Sequence, residues 1–226
     1  MLIPLKTEEP TIKAPVITWL LITANILVFV YQKITIMSNG MDLAMVYGAI
    51  PYELTRAVDM PPLSPYSPYL SLLTYMFLHG GIVHILGNML FLNTFGPNLE
   101  DMMGHIKFLL FYVLCGLVSV LVYVLPNFSS VAPLVGASGA IAGVMGAHLR
   151  VLPGTRIRCL FFIFPISLPA LVILVPWIVL QFYSVFTHAQ SNIAWIAHIG
   201  GFIFGMFMVR KFRNRWFFKR KLEVIQ

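Results

Sequence analysis

The chain has 226 residues, of which 59% are apolar and only 10% charged, and it carries a net charge of +7. Soluble proteins carry roughly 25% charged residues, so this composition excludes an ordinary water-soluble globule and makes lipid the solvent for much of the surface. The positive balance could suggest nucleic acid as a partner, but the cations gather at the ends of apolar runs, where anionic lipid and membrane retention account for them, so no nucleic-acid binding is expected.

The first fifteen residues, MLIPLKTEEPTIKAP, are polar and broken by prolines. No cleavable leader pattern follows them, so the first apolar run, 15 to 32, is expected to stay as a membrane span. Residues 33 to 81 then read as a large outward insertion. Within it, YLSLLTYMFLHGG (69 to 81) is apolar but ends in a glycine pair, which suits a helix lying at the interface, with crossing resumed near Ile82. Further apolar runs occupy 82 to 96, 106 to 126, 157 to 186 and 192 to 209. A weaker one, LVGASGAIAGVMGAHL (134 to 149), is small rather than greasy, as expected of a helix surrounded by other helices whose backbones approach closely. The 157 to 186 run carries Pro165, Pro169 and Pro176, which predict a kinked, loosely held helix whose outer half, from about Trp177 to Phe186, could move aside from the second span to admit a substrate. Cys115 and Cys159 lie in a span and beside arginines, which suits no disulfide.

Thirteen of the fifteen cations fall on one side of these runs: Lys6, Lys13, Lys107, Arg150, Arg156, Arg158 and seven from Arg210 to Lys221. Short cytoplasmic loops collect positive charge, so both termini are expected in the cytoplasm. The fold expectation is an all-α membrane protein of six transmembrane helices. It forms a single membrane domain over 1 to 226, with the outer insertion between the first and second spans and a basic cytoplasmic tail at 210 to 226. The missing transit peptide favours a prokaryotic plasma membrane.

Polar groups inside spans are costly enough to be functional candidates. They are His84 and Asn88 in the second run, Ser138 in the fourth and His198 in the sixth, with Asn93, Ser119, Ser167 and His148 as lesser ones. Asn88, Ser138 and His198 each stand 12 positions before the charge that closes their run, Glu100, Arg150 and Arg210. At 1.5 Å per residue, this puts all three about 18 Å above the inner boundary, toward the outer face. His84 and Asn88, four apart, share one helix face and suit an oxyanion site. Ser138 opens a helix whose first N–H groups lack internal partners, and Gly136, Ala137 and Gly139 leave room for a substrate backbone. No Asp or Glu lies within a span, so a serine triad, an aspartyl dyad and a zinc peptidase of the HExxH kind all lack their parts, and a Ser-His dyad remains. Neither a metal nor a cofactor is expected. His79 and His188 read as outer-loop residues, His105 and His148 as cytoplasmic interface residues.

The stretches HGGIVHILGNML (79 to 90), LEDMMG (99 to 104), GASGAIAG (136 to 143) and AHIGGFIFG (197 to 205) resemble the rhomboid family of intramembrane serine proteases. The resemblance implies that Ser138 is the nucleophile and His198 the general base, with His84 and Asn88 lining the oxyanion site. It implies a structural turn at Glu100 and Gly104, and contact of the sixth helix with the fourth through Gly201 and Gly205. Substrates would be single-span membrane proteins cut within the lipid bilayer. Two features depart from the family pattern. Leu70 and Ser71 stand where many members carry a Trp-Arg pair, and Ala142 where some have an aromatic residue stacked on the catalytic histidine, so other neighbours must orient His198. The alternatives are a catalytically silent rhomboid-like protein that binds membrane clients and, less well matched, a small channel or transporter.

Overall fold

A computed structural model of the protein describes residues 2–62, 64, 66–187 and 194–214. Six longer helices form the body: α1 (Val16–Asn39), α5 (Ile82–Met103), α6 (His105–Val124), α7 (Ser138–Val151), α8 (Ala170–Phe186) and α9 (Trp195–Phe212). Between α1 and α5 lie the short helices α2 (Leu43–Tyr47), α3 (Pro51–Arg56) and α4 (Ser71–Thr74), with 3₁₀ turns on either side of α4. Two helices, α1 and α6, are each long and apolar enough to cross a membrane. A third crossing arises if residues 68–77 and α5, which meet at a 78° bend, count together, and α8 is a shorter apolar helix.

The all-α expectation is corrected by a three-stranded antiparallel sheet of β1 (Leu2–Thr7), β2 (Arg156–Phe161) and β3 (Phe164–Pro169), in that order. The polar amino-terminal segment supplies an edge strand, and the first half of the 157 to 186 run is a hairpin rather than helix. Hydropathy does not separate a short apolar strand from a buried helix. Pro165 therefore sits in a strand and Pro169 precedes α8, leaving Pro176 as the one proline inside that helix. At the base of the sheet, Ser167 Oγ donates to Glu8 Oε1 at 2.6 Å, and Arg158 and Arg156 stand at 3.6 and 3.9 Å from the same carboxylate. The Ser167 bond first, then Arg158 and Arg156, hold the Glu8 carboxyl below its ordinary range.

Two boundaries also move. The first helix continues to Asn39, where Gly40 at φ 72° ends it, so the insertion begins seven residues later than expected, at 40 rather than 33. The 69 to 81 stretch is not one interfacial helix but successive single turns, after which Gly81 opens α5. The insertion is tied down by the Ala49–Leu134 bridge and by Thr74 Oγ1 donating to Tyr47 O at 2.6 Å. The small-residue run does form a buried helix: every α7 residue from Gly139 to His148 is buried.

Close backbone approach sets α7 against α9. A Cβ on Gly201 would strike Gly139 O, one on Gly205 would strike Gly143 O, and one on Gly146 would strike Phe202 O. On α7's other side Gly139 lies against Ser119 of α6, whose Oγ donates to Ala197 O at 2.8 Å and so ties down the start of α9. At the opposite end of the bundle, Pro15 gives α1 no side-chain cap. Glu100 of α5 supplies it instead, accepting Ile17 N and Thr18 N at 2.8 Å each and Thr18 Oγ1 at 2.7 Å. Asp101 accepts Ile12 N and Lys13 N at 2.8 and 3.1 Å, and Gly104, at φ 80°, turns the chain into α6. A carboxylate at a helix amino terminus satisfies orphan donors and faces the positive dipole end.

Removing that cap should be costly. Glu100→Ala strands the Ile17 and Thr18 amides, and thermal unfolding in detergent should show a loss of about 1–3 kcal/mol, with Glu100→Gln, which keeps one acceptor oxygen, losing less.

Candidate active site

The loop before α7 reaches Gly136 at φ 124°, a conformation that glycine alone takes without strain. Its N–H donates to Tyr75 O at 2.9 Å, and a side chain there would run into the His84 imidazole, 2.8 Å from where a Cβ would sit. The turn delivers Ser138 as the first residue of α7, half-buried, with Ala137 offering no side-chain cap. The N–H groups of this first turn therefore have no partner within the helix.

His198, 9% exposed, lies in the first turn of α9 and brings Nε2 to 2.8 Å from Ser138 Oγ. Its other nitrogen, Nδ1, is 2.8 Å from Gln181 Oε1 on α8. Gln181 Nε2 donates to Trp177 O at 3.1 Å, which fixes the amide with its oxygen toward the imidazole. Nδ1 then carries the proton, and Nε2 is left with a lone pair facing the serine hydroxyl. The ring is further held by Trp177, centroid 5.8 Å away and tilted by 33°, and by Trp195, 6.4 Å away and nearly perpendicular. Ala142, one turn after Ser138 on the same helix face, is buried but too small to cover the ring, so these two tryptophans and Gln181 supply the orientation that an aromatic residue at 142 would have given.

Asn88 and His84 converge on the same loop. The Gly136 Cβ position is 3.7 Å from Asn88 Nδ2, and Asn88 places one amide hydrogen on His79 Nε2 at 2.9 Å, which leaves a second for the loop. Gly80 N donates to His84 Nδ1 across a long 3.4 Å, so Nε2 is the protonated nitrogen turned toward Gly136. His79 and His84 pack edge to face with centroids 5.1 Å apart.

Asn88, Ser138 and His198, expected at one depth, and His84, one turn before Asn88, thus meet around the start of α7, while Glu100 and Gly104 stand apart at the far end of α5 and Gly201 and Gly205 lie along the α7–α9 contact. Other readings change. His79 does lie in the loop before α5 but is not open there: it is 2% exposed, with Nε2 on Asn88 Nδ2. It falls within the HGGIVH stretch, but the glycine pair after it suggested open loop. His148 is not at the interface; it is fully buried with its ring 5.1 Å from that of Phe95, and neither nitrogen has a partner among the described residues. Ser119 ties α6 to α9, Ser167 belongs to β3, and Asn93 borders a cleft of about 610 Å³ by the sheet, with Lys6, Thr94 and Arg158. None of the residues around Ser138 lines that cleft, so volume does not mark the site. Trp177, expected at the start of the outer half that would move aside from the second span, packs on His198 and stacks on Phe202 of α9. Gln181 was missed altogether, although a lone amide in PWIVLQFY was the signal for it. His188 and residues 215–226 of the tail lie outside the described residues.

Comparison with known proteins adds an independent line. The Rhomboid domain family model matches residues 67–215. RHOMBOID-like protein 5 of Arabidopsis thaliana is 34% identical over 137 residues, covering 61% of this chain and 42% of its own length. Rhomboid protease GluP of Bacillus subtilis is 32% identical over 205 residues, 89% of this chain and 36% of that protein. Putative rhomboid protease YdcA of the same bacterium is 32% identical over 156 residues, 64% of this chain and 70% of its own. The chain therefore spans about two fifths of the length of the first two of these relatives.

The glycine contact generates a prediction about stability. Gly201→Ala drives a methyl into the Gly139 carbonyl and should lower thermal stability by about 1–3 kcal/mol, as overpacking does. Gly87→Ala, where the added methyl meets nothing within 4 Å, should leave the unfolding temperature unchanged or slightly higher.

Proposed function

We propose that this chain, which belongs to the rhomboid family, is an intramembrane serine endopeptidase in which Ser138 and His198 form the catalytic dyad. The observation that carries the reading is the 2.8 Å approach of His198 Nε2 to Ser138 Oγ. The reading includes six spans, α1, α5, α6, α7, α8 and α9, in a single membrane domain over 1 to 226, with both termini in the cytoplasm and the 40–81 segment outside. It includes single-span membrane proteins as substrates and a prokaryotic plasma membrane as the setting.

Ser138 Oγ attacks the carbonyl of the scissile bond as its proton passes to His198 Nε2. Nδ1–H donating to Gln181 keeps the acceptor nitrogen turned to the serine and steadies the imidazolium that forms. The oxyanion develops beside the first turn of α7, within reach of its free N–H groups, the second Asn88 amide hydrogen and His84 Nε2–H. His198 then protonates the leaving amine, and water enters to hydrolyse the acyl-enzyme. Gln181 takes the place that an aspartate holds in a triad, with a neutral acceptor that costs less to bury than a carboxylate.

Labelling with a serine-reactive fluorophosphonate tests this against a silent client-binding relative. Wild-type protein should be labelled at Ser138, and Ser138→Ala should not. Ser138→Ala and His198→Ala should each abolish cleavage of a single-span substrate while the protein still inserts. Near wild-type cleavage by either variant would remove the dyad assignment. Asn88→Ala should slow turnover by roughly 10²–10³-fold, as loss of one oxyanion donor does, with little change in substrate affinity. Gln181→Leu should lower kcat more than it raises KM, and Gln181→Glu should recover part of the loss with a changed pH profile.

A further inference from the structure

The sheet is polar at one end and apolar at the other. Lys6 pairs with Arg158, Glu8 reaches Arg156 and Arg158, and Ser167 lies beside them, so every charge sits on the rungs nearest α8. Toward the hairpin tip, residues 159 to 164 read CLFFIF, and Phe161, Phe162, Ile163 and Phe164 are 46%, 65%, 79% and 64% exposed. Leu2, the partner of Phe161, and Leu5 are exposed beside them. Four adjacent large apolar side chains at a loop tip are not a surface that water tolerates well.

The contacts of β1 give the direction in which this tip points. Asn98 Oδ1 accepts Thr7 Oγ1, while Thr94, one turn earlier on α5, donates to Pro4 O at 3.3 Å. Going from Thr7 toward Leu2 therefore climbs α5 away from Glu100, the cap of α1. Thr94 is six residues above Glu100, about 9 Å at 1.5 Å per residue, and the tip lies beyond Pro4. The apolar end of the sheet thus rises beside the bundle, where α8 also turns Leu171, Val172, Val175 and Val179 outward.

The free edge of β3 is built for a place without water. Phe161 and Phe164 close the hairpin across a two-residue loop, so they are a hydrogen-bonded pair, and so, alternately, are Cys159–Ile166 and Ile157–Leu168. Residues 165, 167 and 169 therefore turn their backbone groups to the free edge. Two of these three are Pro165 and Pro169, which have no N–H, and the carbonyl of the third, Ser167, accepts Arg156 Nη2 at 2.9 Å. An edge left with a single backbone donor, the Ser167 N–H, is poor at adding a strand from another chain. It is also far less costly to face with hydrocarbon, where an unpaired N–H has no partner.

We infer that this sheet is a membrane-dipping element: the Phe161–Phe164 tip lies among the acyl chains of the leaflet next to the cytoplasm, and Lys6, Arg156 and Arg158 at its base meet anionic headgroups. The inference rests on the membrane reading of α1, α5 and α8 given above, and the controls below separate the two. The sheet thereby fills, at the side of α5, the inner-leaflet space beside a bundle whose α8 begins only at Ala170.

Site-directed nitroxide labels in the full chain, reconstituted in bilayers containing anionic lipid, test it. Phe162→Cys and Ile163→Cys are labelled separately, since Phe162 has a φ of 53° that the substitution must keep. Leu27→Cys on the exposed face of α1 serves as the lipid control and exposed Thr11→Cys as the water control, the native Cys115 and Cys159 being buried. The expected result is an oxygen-to-nickel collision ratio at 162 and 163 several-fold above that at 11 and close to that at 27. Ratios at 162 and 163 matching Thr11 while Leu27 stays lipid-like would overturn the inference and leave the membrane reading standing. A water-like Leu27 would remove both. Dipolar broadening between labels at the tip, reporting a second copy seated on it, would also overturn the inference.

Discussion

The contact between α7 and α9 is the constraint on which the site depends. Gly139 and Gly143 on one helix meet Gly201 and Gly205 on the other at the same four-residue spacing, backbone against backbone. Lipid gives apolar helices little reason to associate, so close approach of small residues and the van der Waals contact it permits must hold them. Two glycine pairs in step fix the sliding register of these parallel helices as well as their distance. With that register set, the first residue of α7 and the fourth of α9 have little freedom left, and Ser138 and His198 fall within hydrogen-bonding distance. The Ser138–His198 pair is thus positioned by residues further along the two helices.

What the glycines cannot set is the rotation of the imidazole, and a third helix does that. Gln181 and Trp177, one turn apart on α8, respectively bind Nδ1 and cover the ring. The neutral amide suits its surroundings. A carboxylate at position 181 would need compensation for burial, and apart from Lys33 and Arg56 the cations of the described chain stand toward the other end of the helices. The described carboxylates that are buried, Glu53, Glu100 and Asp101, all accept backbone amides: Glu53 from Met60, Glu100 from Ile17 and Thr18, and Asp101 from Ile12 and Lys13. Acidic groups in this protein are placed by where donors are available.

Much of this was legible in the sequence because small and polar residues are rare in an apolar chain and therefore informative. The depth argument placed Asn88, Ser138 and His198 on one level, and in the structure they surround one loop. The glycine spacing in GASGAIAG and GGFIFG named the contact that aligns them. The hairpin was illegible for a physical reason: a run such as CLFFIFPISLP has neither the alternation of a half-buried strand nor polar breaks, and its prolines suggest a kinked helix as readily as a protected strand edge. Only the register shows that Pro165 and Pro169 occupy free-edge positions. His79 was hidden by the following glycines, which do break the chain but leave the histidine folded under Asn88. Gln181 was passed over because an amide in a long apolar run draws less attention than a histidine or a serine.

The six helices are not held alike. The helix carrying Ser138 is enclosed, with its residues from Gly139 to His148 all buried, and its glycines lock it to α9. By contrast, α8 turns much of its length outward, with Val179, Leu180, Tyr183 and Phe186 all exposed, and it carries Pro176 one residue before Trp177. Its hold on α9 runs through Trp177 on Phe202 and His198 and through Gln181 on His198. A displacement of α8 from α9 would leave the Ser138–His198 distance to the glycines but would take away both the acceptor of Nδ1–H and the ring's cover. Ser138 and the backbone of His198 are therefore fixed by the enclosed part of the bundle, whereas the tautomer and tilt of the imidazole are set by the more exposed α8. Any substrate that pressed on α8 from the bilayer would act first on the orientation of His198 and only afterwards on its position.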